Sequence, residues 1–192
     1  MFVVYDLETT GLKPHDCEII QIAAVRFREG RMNQAESFFS YARPAGPIPA
    51  FIARYTGVTD RHVAGAPRPH EVLQRFAEFV GGDCGLIAHN GHRFDSRFLD
   101  ATCRRHGLGT RAVHSIDSLH FSRRLFGTAR GTGHGMDRML ARLGIGAQAG
   151  ETRHDARGDV ALLGRALEIM WERLGLDAAC SGLPRHETSL PM

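Results

Sequence analysis

Apolar residues along this chain fall into two periods, and the alternation between them lays out the elements. Phe2-Val3-Val4-Tyr5 opens a first strand, which runs on through Asp6 and Glu8. Glu18 to Phe27, carrying Ile19, Ile20, Ile22, Val25 and Phe27, reads as a second strand. Arg28-Glu29-Gly30-Arg31 is the turn into a third strand around Ala35 to Tyr41, so the chain begins as a β-meander. Pro44 to Pro49 is too rich in proline and glycine for regular structure and ends the meander, and Phe51 to Thr56 follows as a short helix. From Pro69 to Val80 the apolar positions Val72, Leu73, Phe76, Phe79 and Val80 recur at helical spacing, with Pro69 in the first turn and Gly81-Gly82 as the stop. Leu86 to Ala88 is a short buried strand, Phe94 to Arg105 a helix with Phe98 and Leu99 inward, and Ala112 to Ile116 a fifth strand. Further helices are expected near Ser118 to Phe126, Met136 to Leu143 and Asp155 to Leu174. Strands followed by helices indicate a three-layer α/β fold. Residues 177–192 lose the periodicity and contain Pro184 and Pro191, so one domain over residues 1–176 and a flexible tail over 177–192 are expected.

Three polar clusters interrupt this pattern: Asp6-Leu7-Glu8-Thr9-Thr10-Gly11, then His89-Asn90-x-x-Phe94-Asp95, then His154-x-Ala156-x-x-Asp159. Side chains at i and i+2 of a strand share a face, so Asp6 and Glu8 point into one site. Taken singly, each acid has a plain reading: a solvated edge charge for Asp6 or Glu8, a helix N-cap for Asp95, a helix-face charge for Asp159. Their joint order at strand ends and helix starts argues for one site. Four carboxylates in a cleft repel unless cations neutralise them, and hard oxygen donors suit Mg²⁺ or Mn²⁺ rather than zinc. A pair of such ions stabilises the attacking and leaving oxygens of an in-line phosphoryl displacement. A histidine at position 154 is then suited to take a proton from the attacking water.

These segments resemble the ExoI, ExoII and ExoIII motifs of the DEDDh 3′→5′ exonucleases, the family of the proofreading epsilon subunit of bacterial replicative polymerases and of ribonuclease T. Tyr55-Thr56-Gly57-Val58-Thr59, Ala66-Pro67 and His134-Gly135-Met136-Asp137 are similar to its connecting segments. The resemblance implies a ribonuclease H-like fold, with a mixed five-stranded sheet in the order 3-2-1-4-5 flanked by helices. It implies that Asp6, Glu8, Asp95 and Asp159 hold two Mg²⁺, with Mn²⁺ able to substitute, and that His154 is the general base. Thr9, Gly11, Leu12, Gly57, Val58, His89, Asn90 and Phe94 are the implied substrate-binding residues, Gly57, Val58 and Phe94 packing around the 3′-terminal nucleotide. His89 either orders Asp95, touches the 3′ end or is a satisfied, partly buried histidine. Asn90 caps its loop or bonds backbone groups. The implied activity is release of nucleoside 5′-monophosphates from single-stranded 3′ ends, DNA favoured, in proofreading or DNA repair. RNA 3′-end trimming and a catalytically silent nucleic-acid-binding module are the alternatives.

Composition narrows this little. A hydrophobic content of 43% and an aromatic content of 8% describe an ordinary globular chain. No apolar run approaches the roughly 20 residues that cross a bilayer, so no membrane partner and a cytoplasmic location are expected. Cys17, Cys84, Cys103 and Cys180 form no CxxC pair and read as free thiols. Lys13 is the only lysine, and the arginine-borne net charge of +3 permits phosphate contact without requiring it. Gly131-Thr132-Gly133-His134-Gly135 lacks the Lys-Ser/Thr of a P-loop and reads as a glycine loop. The remaining histidines, among them His62, His92 and His120, lack ligand spacing. Glu187 to Met192 resembles the sliding-clamp-binding peptide of some polymerase epsilon subunits, with Leu190 and Met192 as apolar anchors. A frayed terminus is the alternative to such a clamp or polymerase partner.

Overall fold

The computed structural model describes residues 1–148, 152–175 and 180–192. Its strands are β1 (Phe2–Thr9), β2 (Ile19–Arg28), β3 (Arg31–Tyr41), β4 (Gly85–Ala88), β5 (Thr110–Asp117) and β6 (His186–Pro191). Its helices are α1 (Ala50–Thr56), α2 (Asp60–Val63), α3 (Pro69–Val80), α4 (Asp95–Arg105), α5 (Ser118–Phe126), α6 (Met136–Leu143) and α7 (Ala156–Leu174). One sheet runs β3-β2-β1-β4-β5-β6, antiparallel across β1/β2, β2/β3 and β5/β6 and parallel across β1/β4 and β4/β5. This is the mixed ribonuclease H-like arrangement, with the expected order extended by a sixth strand.

Alternation on β1 separates the two cores. Val3, Tyr5 and Leu7 join Val72, Leu73 and Phe76 of α3 and Phe98 and Leu99 of α4 on one face. Val4 faces the other way, into Phe121 of α5, Met139 of α6 and the long apolar face of α7. Asp6 and Glu8 continue the Val4 side of the strand, so the pleat aims both at α7. A third cluster, Ile20, Ile48, Ile52, Val58 and Val63, seats α1 and the unforeseen one-turn α2 beyond the sheet. Among the described residues no helix is long and apolar enough to cross a membrane.

The tail expected to be flexible is corrected here. The 176/177 boundary lies outside the described residues, but His186–Pro191 is a strand on the β5 edge. Thr188, 2% exposed, meets Ser96 Oγ at 2.9 Å and Ser115 Oγ at 3.0 Å, and Leu190 is wholly buried with α3 and α4. Pro191 ends this edge strand, where a missing N–H costs no ladder bond. Burial of Leu190 removes the anchor on which the clamp-peptide reading relied. Leu190→Ala is expected to cost about 2–5 kcal/mol of unfolding free energy. Urea denaturation checks this, and a loss below about 0.5 kcal/mol, as for an exposed residue, contradicts the docked strand.

Candidate active site

The site forms where the end of β1 meets the starts of α4 and α7. Asp6 and Glu8 sit opposite Ala23 and Gln21 in the β1/β2 register. Gln21 is fully buried and connects sheet to helix: its Nε2 donates to Asp155 Oδ2 at 3.1 Å, and its Oε1 accepts the Ala156 N–H at 2.8 Å. Asp155 caps α7 by accepting the Arg157 N–H at 3.0 Å. This clasp sets the first turn of α7 beside β1 and with it Asp159. The approach is close enough that a Cβ on Gly158 would lie 2.2 Å from the Thr152 carbonyl oxygen, so only glycine fits.

Oxygens of Asp6, Glu8 and Asp159 lie within 4.8 Å of one another. Asp95, 2% exposed at the first position of α4, adds its charge to the field that Asp6 and Glu8 feel. Desolvation is the largest cause lifting the carboxyl of Asp6 well above the usual range, followed by the charges of Asp95, Glu8 and Asp159. Glu8 is pushed up to about 8, by desolvation first and then by Asp159 and Asp95. Burial raises Asp95 too, against the pull of backbone N–H bonds from its own residue and Leu7, while its Oδ1 stays buried without a partner. A crowded set of oxygen donors that resists ionisation, with one buried oxygen unsatisfied, fits hard divalent cations.

His154 holds φ at +62°, a left-handed conformation that costs a non-glycine residue roughly 1–3 kcal/mol. Its N–H donates to Asp159 Oδ2 at 3.3 Å, and its ring stacks on Tyr55 with centroids 4.0 Å apart. Arg153, which the motifs did not single out, pairs with Asp159 and, at 2.8 Å, with Asp137.

A cavity of about 700 Å³ covers this cluster, and Leu12, Phe51, Tyr55, Phe94 and Met136 make its apolar wall. All five proposed catalytic residues line it, together with Thr9, Leu12, His89, Asn90 and Phe94 of the implied binding set. Gly11, Gly57 and Val58 lie outside the lining. Gly11 packs on Cys17, while Gly57, at φ +73°, ends α1 and Val58 is buried beneath it. Gly57 and Val58 adjoin α1, which presents Phe51 and Tyr55, i and i+4 apart and 58% and 60% exposed. That exposed aromatic pair was the available sequence signal. Asn90, at φ +57°, gives its own backbone N–H to the Asp117 Oδ1 side-chain oxygen at 2.9 Å. His89 makes its bond to Ser118 Oγ at 2.8 Å, and burial lowers it to about 4.

A model described as an exonuclease, of the RNase T type, matches residues 3–167. A PolC-type DNA polymerase III of Streptococcus thermophilus is 38% identical over 179 residues, 91% of this chain and 12% of the polymerase. The corresponding polymerase of Streptococcus pneumoniae is 38% identical over 189 residues, 98% of this chain and again 12% of the relative. The chain thus spans about an eighth of the length of these curated relatives. Among solved structures, the nuclease domain of 3′hExo, a DEDDh family member bound to rAMP, superposes with a TM-score of 0.78 at 20% identity, over 97% of this chain and 96% of that one. E. coli Exonuclease I in complex with a dT13 oligonucleotide gives 0.73 at 19% identity, over 90% and 41%.

The raised carboxyls carry a stability signature. A carboxyl whose folded-state pKa lies above its unfolded value contributes stability that is present at low pH and lost as pH rises through the folded value. In EDTA, Glu8 is therefore expected to make melting temperature fall with rising pH from about pH 5 to about 8, between its unfolded and its folded value, and to add no slope above that. Glu8→Gln should flatten that slope, and thermal melts across the window check it. A parent that gains stability there, or an equal slope in the variant, contradicts the assignment.

Proposed function

The chain belongs to the RNase T-type exonuclease family, and from that premise we propose that it is a 3′→5′ exonuclease releasing nucleoside 5′-monophosphates from single-stranded ends, DNA in preference, by two-metal-ion hydrolysis. The observation that carries this reading is the convergence of Asp6, Glu8, Asp95 and Asp159, three of them held above the ordinary carboxylate range, on one cavity. These four residues would hold two Mg²⁺ or Mn²⁺, which when bound supply charge stabilisation at the attacking and leaving oxygens. The chain's own groups do the remainder. The neutral imidazole of His154 accepts a proton from water as its oxygen attacks the scissile phosphorus, and the bond to the preceding nucleotide's 3′ oxygen breaks. Tyr55 braces that imidazole by stacking, and the Asp159 bond to its backbone fixes the turn. Leu12, Phe51, Phe94 and Tyr55 exclude water and offer flat apolar surface to the last base and sugar, a contact tolerant of sequence. A walled cavity of this size suits one nucleotide better than a continuous strand, which favours exo over endo cleavage. The 38% likeness to a segment of PolC-type polymerases supports a place in proofreading or repair in the cytoplasm.

His154→Ala is expected to slow mononucleotide release by about 10²–10⁴. Chromatography of products from matched single-stranded DNA, RNA and mismatched duplex, with Mg²⁺ and with EDTA, checks both polarity and substrate. A rate of release unchanged by the substitution rules His154 out, and faster digestion of RNA than DNA reverses the stated preference.

A further inference from the structure

The acid cluster holds a cation of its own, the guanidinium of Arg153. Its Nη1 donates to Asp159 Oδ1 and its Nε donates to Asp137 Oδ1 at 2.8 Å, so it bridges the first turns of α7 and α6. The two ends of the bridge differ in setting: the Asp159 side chain is 9% exposed and that of Asp137 80%. An ion pair at an exposed carboxylate contributes little to stability, so the bridge is poorly explained as a tie between helices. Its inner end lies in the cleft, where Arg153 lines the same cavity as Asp6, Glu8 and His154.

Asp159, unlike Asp95, has both carboxylate oxygens engaged. Oδ1 accepts from Arg153 and Oδ2 accepts the His154 N–H at 3.3 Å, whereas Asp95 Oδ1 is buried without a partner. A divalent ion drawn to the oxygens of Asp6, Glu8 and Asp159 therefore meets a guanidinium already seated on Asp159. Like charges repel strongly over so short a distance, and the two cations compete for one carboxylate. Once bound ions offset the four acids, the hold of Asp159 on the guanidinium falls. The bond from Nε to Asp137 keeps Arg153 at the cavity wall, and its planar fork of N–H donors matches the oxygens of a phosphodiester.

We propose that Arg153 is a two-position residue, seated on Asp159 as its counterion while the acid cluster holds no metal and turning to a non-bridging oxygen of the phosphodiester being cut once that charge is offset. The proposal rests on the exonuclease reading. It makes one side chain a competitor of the metal and a ligand of the substrate, so its removal acts on the two affinities with opposite signs.

The test is Arg153→Gln, which keeps hydrogen-bonding capacity and removes the charge, beside Arg153→Lys, which keeps the charge and loses the fork. Calorimetric titration of the strand-free protein with Mn²⁺ at pH 7 should show about tenfold tighter binding by the Gln variant than by the parent, and binding by the Lys variant within about threefold of the parent. Fluorescence anisotropy of a single-stranded DNA oligonucleotide in saturating Ca²⁺ should show about tenfold weaker binding by the Gln variant, the worth of a charge-assisted hydrogen bond. A merely structural bridge would weaken both affinities when broken. Mn²⁺ binding by the Gln variant that is unchanged or weaker, a Lys variant that binds Mn²⁺ as tightly as the Gln variant, or strand binding unchanged by Arg153→Gln overturns the proposal. Opposite shifts in the two affinities, with no mononucleotide released by the parent in Mg²⁺, support the two positions of Arg153 and overturn the hydrolytic reading instead.

Discussion

Mutual repulsion among Asp6, Glu8, Asp95 and Asp159 is the constraint around which this molecule is arranged. Like charges in a desolvated cleft oppose folding, so the acids must be forced together by elements that are stable for other reasons. Strand β1 supplies two of them by pleat alone, because it is bonded on both sides and packed on both faces. Asp95 and Asp159 arrive on the first turns of α4 and α7, where the N-terminal end of the helix dipole offsets part of their charge.

The joint between sheet and α7 does the remaining positioning. Gln21 is an amide in the middle of an apolar strand, an expensive residue to bury unless both its ends are bonded, as here to Asp155 and to the Ala156 N–H. Gly158 permits the close approach that the clasp requires, and His154 turns through a left-handed conformation to reach Tyr55. Loss of any of these would shift Asp159 and His154 together, so His154 and the acid cluster are a single mechanical unit.

Most of this was legible in the sequence wherever local chemistry and periodicity agreed. Asp6 and Glu8 two apart on an apolar strand, and Asp95 and Asp159 at helix starts, need only the strand and helix periods to be placed. The strand order followed from the resemblance and holds for the first five strands. What stayed hidden depends on partners distant in the chain. Thr188 and Leu190 alternate as strand residues, but the edge of β5 that receives them cannot be inferred from six residues ending in proline. Gln21 and Arg153 look like ordinary polar residues until α7 is docked, and Gly57 and Val58 lie at the end of α1 outside the cavity's lining.

The central claim is that the acid cluster is built to be neutralised by bound cations. Calorimetric titration with Mn²⁺ at pH 7, repeated in buffers of different ionisation enthalpy, tests it most directly, since it counts the protons displaced by the metal. Carboxyls held partly protonated by burial and by their neighbours must release protons as the ions bind, so the account predicts measurable proton release, abolished when Asp6 and Asp95 are both changed to Asn. Binding without proton release, or release undiminished in the double variant, would contradict it.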